Sequence, residues 1–255
     1  MPFTEFFSST SLALVGVVGA VFVFAGAIKG VVGFGLPTVS MALLALVMAP
    51  VEAAALLIVP SLVTNAWQTG PFRTLKAVLR RVGAMQLGIC FGTFAGAWIF
   101  GALSAAWVTA ALGLALIVYA IWGLFGSASP ICVRTEKWLG PLVGVMTGIV
   151  AAATGVFVVP AVPYLQSLGL DRDELIQAMG VSFTVSTVAL AVTLTFTGNY
   201  SVGVAGASAM MLAPALVGMT LGQYLRRALS PGVFRACFLS GLFILGLHLA
   251  TRALF

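Results

Sequence analysis

Charged side chains are scarce in this sequence: Asp, Glu, Lys and Arg make up 7% of its 255 residues. A soluble domain carries about 25%, so this chain has no means of covering a surface that faces water. Acids are the rarest, with six Asp and Glu in all, and none pair up at depth as catalytic carboxylates would. There is a single histidine, His248, and the three cysteines (Cys90, Cys132, Cys237) show neither CxxC nor His/Cys ligand spacing, which excludes a zinc site and a disulfide framework. No Walker A, GxSxG or HExxH motif occurs, leaving ATP-driven pumping and ordinary hydrolysis without a chemical basis. An intramembrane enzyme needs a nucleophile and a base at depth; Ser and Thr are present, but no acid or His joins them. No enzyme, metal or cofactor is expected.

Apolar residues fill the space left: AVILMFWYC account for 61% of the chain. In hydrocarbon such side chains are required on the outside, while backbone polar groups pair within each segment. The runs Leu12–Ile28, Val82–Phe100, Ala105–Phe125 and Gly203–Leu221 are continuous, unlike the alternating ~10-residue segments of an outer-membrane barrel. At roughly 20 residues per span, the length suggests eight to ten helices. Met1–Thr10 has no Lys or Arg ahead of the first run, so it lacks the basic flank of a signal peptide and reads as a mature end.

Twelve Lys and Arg give a net charge of +6, but they cluster in short loops: Arg73/Lys76/Arg80/Arg81, Arg134/Lys137, Arg172, and Arg226/Arg227/Arg235. That placement argues against nucleic acid and, by the positive-inside rule, sets these loops in the cytoplasm. The parity of the intervening helices agrees, with both termini outside. Two apolar segments, Ser11–Met48 and Leu139–Leu168, must then start and finish on one side. Each has a glycine-rich break, read as Gly26–Gly35 and Gly148–Gly155, followed by a second arm (36–48 and 156–168) of 13 residues. Such an arm reaches about 20 Å, short of the ~30 Å hydrocarbon core, which predicts helical hairpins with tips at depth. The expected fold is an all-α polytopic membrane protein. Two inverted-topology repeats, residues 1–128 and 129–255, each comprise a broken helical hairpin followed by three transmembrane helices. Inverted repeats with paired Gly/Pro-interrupted segments are a transporter pattern.

The two copies read GVVGFGLPTVSMALLALVMAPVEAAALLIVPSLVTNAWQ and ATGVFVVPAVPYLQSLGLDRDELIQAMGVSFTVSTVAL. In this Gly break, Pro, short apolar stretch and Ala-rich helix with Ser, Thr or Asn, the chain resembles the TauE/SafE sulfite exporter family, also called the toluenesulfonate uptake permease family. It departs from the family's richer glycine run at the first break, where it has Lys29 and Phe34. The resemblance implies a secondary transporter, an exporter, moving sulfite, an organosulfonate or another small organic anion across a bacterial inner membrane. A carrier or channel for a small carboxylate is the alternative. Expected partners are the anion, the lipid bilayer and a second copy of the chain as a homodimer.

Lys29 is the sharpest candidate for binding an anion, because an ionisable residue inside a membrane ordinarily faces a cavity or a partner; the other reading has it snorkel to the interface. Gly30, Gly33, Gly35 and Gly155, with Thr154, either expose backbone to a binding cavity or let helices pack closely. Gly88-x3-Gly92-x3-Gly96 and Gly140-x3-Gly144-x3-Gly148 read as packing. Ser61, Thr64, Asn65 and Gln68 share one helical face, and Ser182 and Ser186 form a similar stripe in the second copy. Such hydroxyls and amides suit a desolvated oxyanion, or serve as interhelical glue. Glu52 reads as a helix-start residue, His248 as interfacial, and the tryptophans as an aromatic belt.

Overall fold

The computed structural model describes residues 12–70, 72–101, 107–126, 130–228 and 230–252. They form helices α1 (Leu12–Val32), α2 (Leu36–Leu44), α3 (Pro50–Gln68), α4 (Phe72–Phe100), α5 (Val108–Phe125), α6 (Val133–Thr154), α7 (Ala161–Ser167), α8 (Arg172–Phe196), α9 (Val202–Met210), α10 (Leu212–Leu225) and α11 (Pro231–Arg252). Eight stretches are long and apolar enough to cross a membrane, with α9 and α10 counting as one. The chain is an all-helical, multi-pass membrane protein. The expectation for the first ten residues lies outside the described ones.

Both hairpins are present, but their breaks fall later and are shorter than the glycine pattern suggests. Helix α1 runs through Gly26, Lys29 and Gly30 without interruption, and the break is Gly33–Gly35. Helix α6 likewise continues to Thr154, and the second break starts at Gly155. The turn demands glycine where φ is positive: Gly33 at 92°, Gly35 at 107° and Gly155 at 69°, a region that L side chains rarely adopt. Past each break a proline sits where its missing N–H costs nothing, Pro37 near the start of α2 and Pro160 just ahead of α7. The second arms are helical over only nine and seven residues, shorter than the 13 expected. They lie inside the protein: eight of nine α2 residues are buried, and Val156, Phe157 and Val158 are fully enclosed. Irregular backbone at membrane depth is tolerated only under such cover.

The other early glycines are used in packing. A side chain on Gly26 or Gly30 would collide with the carbonyls of Ala215 and Met219 in α10, and one on Gly218 or Gly222 with those of Val23 and Ala27 in α1. The α4/α6 pair repeats the device. Gly88 and Gly92 meet Pro141 and Val145, while Gly144 and Gly148 meet Met85 and Ile89. Small residues let the backbones approach to contact, which in lipid is the main source of helix association. Helix α3 packs on α8, α5 on α11, α4 also on α8, and α3 also on α9. The span expected over 203–224 is divided at Met211. Pro214 has no N–H to offer Met210 O, so the helical ladder breaks one turn earlier. Exposed Trp67, Trp98, Trp107 and Trp138 lie near helix ends, and Leu87, Phe91, Ile244 and Val217 face outward, an apolar mantle suited to lipid.

Candidate functional site

Lys29 lies one turn before the end of α1, and its side chain turns inward; only 2% of the residue is exposed. The snorkelling alternative does not describe this geometry. Its Nζ donates to Thr64 Oγ1 at 3.1 Å and to Asn65 Oδ1, both on α3. Thr64 is a good acceptor because its own hydroxyl proton is committed to Pro60 O at 2.6 Å, leaving the oxygen lone pairs for the ammonium. That arrangement follows from sequence: helical spacing puts 61, 64/65 and 68 on one face of α3, and Pro60 lies in the same stretch. One turn on, Gln68 Nε2 donates to Gly33 O, the carbonyl at the break. Gly180 on α8 backs this cluster; a Cβ there would lie 2.9 Å from Gln68 Cβ and 3.1 Å from Asn65 O.

The donors and acceptors do not close among themselves. Asn65 Nδ2, Gln68 Oε1 and Ser61 Oγ are buried without a hydrogen-bond partner. Most buried polar atoms have one. Nor does the ammonium face an acid. The single ion pair among the described residues, Arg81 with Glu136 at 2.7 Å, ties α4 to α6 elsewhere, and Arg81 also donates to Leu168 O. Glu52, the acid on α3, begins that helix, twelve residues from Thr64 and so roughly 18 Å away along the axis. A buried amine with no acid beside it, next to open amide and hydroxyl groups, can accept one small anion when protonated. It offers point-charge attraction from Lys29 and neutral donors from Asn65 and Ser61.

The second copy is built differently. Four residues before its break glycine stands Ala151, where the first copy has Lys29. Thr154 Oγ1 donates to Val150 O at 2.7 Å and accepts from Val156 N–H at 3.2 Å, so it fastens the end of α6. Gly155 closes that helix in a left-handed turn with Met41 against it. Ser182 accepts from Gln86 Nε2 at 2.9 Å, an α4–α8 bridge, while Ser186 Oγ is buried without a partner. The structure thus joins Lys29, Gly33, Asn65 and Gln68, with Ser61 on the same face of α3. It places Gly30 in the α1/α10 packing seam and Gly35 at the start of α2, and the hydrogen bonds of Lys29 go to Thr64 and Asn65. Gln86, which bonds Ser182, and Gly180, which backs the α3 cluster, are participants beyond the expected set. A lone Gln within the apolar run of α4 was the available signal for Gln86. Among the described residues no group of His, Cys, Asp or Glu is placed to hold a metal ion.

The fold is that of a multi-pass membrane protein with two broken helical hairpins. The family model for the sulfite exporter TauE/SafE matches residues 18–249, and the chain belongs to that family, a family of transporters. No curated protein and no solved structure matches it.

Proposed function

We propose that this chain is a secondary carrier of a small oxyanion, sulfite or an organosulfonate, in a bacterial inner membrane, with the basic loops in the cytoplasm and both termini outside. The observation that carries this reading is Lys29: buried, bonded only to neutral Thr64 and Asn65, and beside a break in its helix. Burying an unpaired charge is expensive, and an anionic cargo removes the cost each time it binds. The neutral donors matter equally, since a second fixed cation would hold the anion too firmly to release it.

The same reading includes inverted repeats. Exchanging α1 with α6, α3 with α8, α4 with α9/α10 and α5 with α11 leaves the main helix pairings unchanged: α1–α10 becomes α6–α4, and α3–α8 and α5–α11 map onto themselves. That pattern supports two halves related by a two-fold axis, and the odd number of crossings per half in the proposed topology would make them inverted.

The test is flux in proteoliposomes loaded with radiolabelled sulfite, with benzenesulfonate and acetate as competitors. A carrier gives saturable flux and counterflow, both lost on Lys29→Met while thermal unfolding shows the protein folded. Flux without saturation or counterflow would establish a channel instead. Preferred acetate transport would move the substrate class to carboxylates, and unchanged flux in Lys29→Met would remove the site.

A further inference from the structure

Beside the first break there is a cavity of about 150 Å³ that Lys29 does not line. Val32 and Phe34 at the break, Tyr119 and Trp122 of α5, Gln166 of α7 and Arg235 of α11 all line it, so both halves of the chain contribute. A second cavity of about 280 Å³ shares Gly123, Arg235 and Leu239 with the first and reaches Gly126 and Gly232, where α5 ends and α11 begins. Arg235 therefore stands at the neck between an inner chamber and an outer opening on the side of the basic loops.

The chemistry of these walls is one-sided. No acidic residue lines either cavity. The exposed Arg235 side chain reaches across the α5–α11 seam with one donor, Nη2 to Gly123 O at 3.1 Å, out of five N–H groups in a planar fork that suits an oxyanion. Gln166 adds an amide, and Phe34 and Trp122 add aromatic faces. An apolar cavity of about 150 Å³ holds a molecule the size of benzene. Inorganic oxyanions would leave the aromatic walls without a contact.

We infer that Arg235 and this chamber form a second, loop-side anion site, distinct from Lys29, that takes a small organic anion with an apolar body of about one ring. The acid group lies on Arg235 and Gln166, and the body lies against Phe34 and Trp122. The inference rests on the reading of the chain as an anion carrier and makes this the place where cargo waits beside the Gly33–Gly35 break.

The experiment is calorimetric titration of the full chain in nanodiscs with benzenesulfonate, and with benzenesulfonamide as the uncharged counterpart. Wild type is expected to bind the sulfonate at least tenfold more tightly. Arg235→Gln removes one of two sulfonate-binding events, the other being at Lys29, and Gln166→Leu weakens the same event several-fold without touching the arginine. Arg227→Gln, which removes a neighbouring cation that lines neither cavity, leaves that event intact, and Lys29→Met removes only the other. Equal affinity for the two probes, no sulfonate binding, an Arg227→Gln loss matching that of Arg235→Gln, or loss of all binding in Lys29→Met would each overturn the separate site. Flux that survived Lys29→Met would overturn the Lys29 site while leaving this one standing.

Discussion

If Lys29 is an uncompensated buried charge, the stabilities of variants at Lys29 and Asn65 are coupled in a direction that an ordinary buried hydrogen bond does not give. Asn65→Leu removes Oδ1 and leaves Nζ with Thr64 alone. Stripping a buried charge of a partner costs about 3–5 kcal/mol. Lys29→Met removes the charge and keeps the shape; the gain of about 1–4 kcal/mol from replacing a buried ionic group is offset by about 1–3 kcal/mol for the orphaned Oδ1. The double variant has neither charge nor orphaned amide, so it should match or exceed wild type. The singles together predict a loss of about 3–5 kcal/mol that the double does not show, a coupling far above the ~0.5 kcal/mol scatter of independent sites. In a chain of this size, about 2–4 °C accompanies each kcal/mol. Thermal unfolding in detergent, followed by tryptophan fluorescence, should therefore place Asn65→Leu roughly 6–20 °C below wild type, and the double variant back at or above it. Additive effects, or an Asn65→Leu protein as stable as wild type, would show that Lys29 does not depend on Asn65 and refute the reasoning.

Three further outcomes follow from contacts elsewhere. Pro60 has no N–H for Leu56 O, and Ser208 of α9 fills the gap, donating to Leu56 O at 2.8 Å and accepting from Val59 N–H at 3.0 Å; Ser208→Ala should cost about 1–3 kcal/mol in thermal unfolding, and much less in a Pro60→Ala background, where residue 60 supplies its own N–H. Gly92→Ala would press a Cβ into Val145 O and lower the melting temperature, whereas Gly83→Ala, with nothing within 4 Å, should raise it slightly through better helix propensity; equal shifts would deny the α4/α6 seam its role. Cys132 is exposed at the start of α6, in a loop assigned to the cytoplasm, so an impermeant maleimide should label it in inside-out vesicles and not in right-side-out ones; the reverse pattern would invert the topology.

The helices and their number were legible because continuous apolar runs of span length have few other uses. The breaks were misplaced for a specific reason. Glycine costs a helix about 1 kcal/mol, so Gly26, Gly30 and Gly148 look like interruptions, yet each lies where a neighbouring carbonyl comes too close for any side chain. Only the partner helix reveals that, and sequence spacing cannot say which helix is the partner. The same limit governed the site. The stripe 61, 64/65, 68 could be read from α3 alone, whereas its meeting with Lys29 depends on how α1 and α3 pack. Nor does sequence show that Thr154 donates to Val150 O, or that Ser182 accepts from Gln86. Ser208 had a signal nobody reads from Ser208 itself: the missing N–H of Pro60, a hundred and forty-eight residues away.

The packing also bears on which parts move. The long seams α1/α10 and α4/α6 each join one helix from either half, and in both the backbones touch over several turns, at Gly26, Gly30, Gly218 and Gly222 in one and at Gly88, Gly92, Gly144 and Gly148 in the other. Pairs packed in that way resist sliding and rotation through carbonyl collisions, so we expect the rocking bodies to be other than the two halves. By contrast, the α5 and α11 backbones touch around Gly113 and Gly246, while at Gly123 the seam is filled by the Leu239 side chain, which yields more readily than a carbonyl and makes this the seam expected to pivot. Paired cysteines separate the two kinds of seam. A Cβ on Gly96 would lie 3.0 Å from Ala152 Cβ across α4/α6, and one on Gly246 would lie 3.0 Å from Leu116 Cβ across α5/α11, each within a small adjustment of the ~3.5–4.5 Å a disulfide needs. With Cys90, Cys132 and Cys237 replaced, oxidising Gly96→Cys/Ala152→Cys should leave sulfite flux unchanged. Oxidising Gly246→Cys/Leu116→Cys should arrest it reversibly, with flux restored by reductant. If the α4/α6 cross-link arrests flux and the α5/α11 cross-link does not, the moving bodies are the two halves after all.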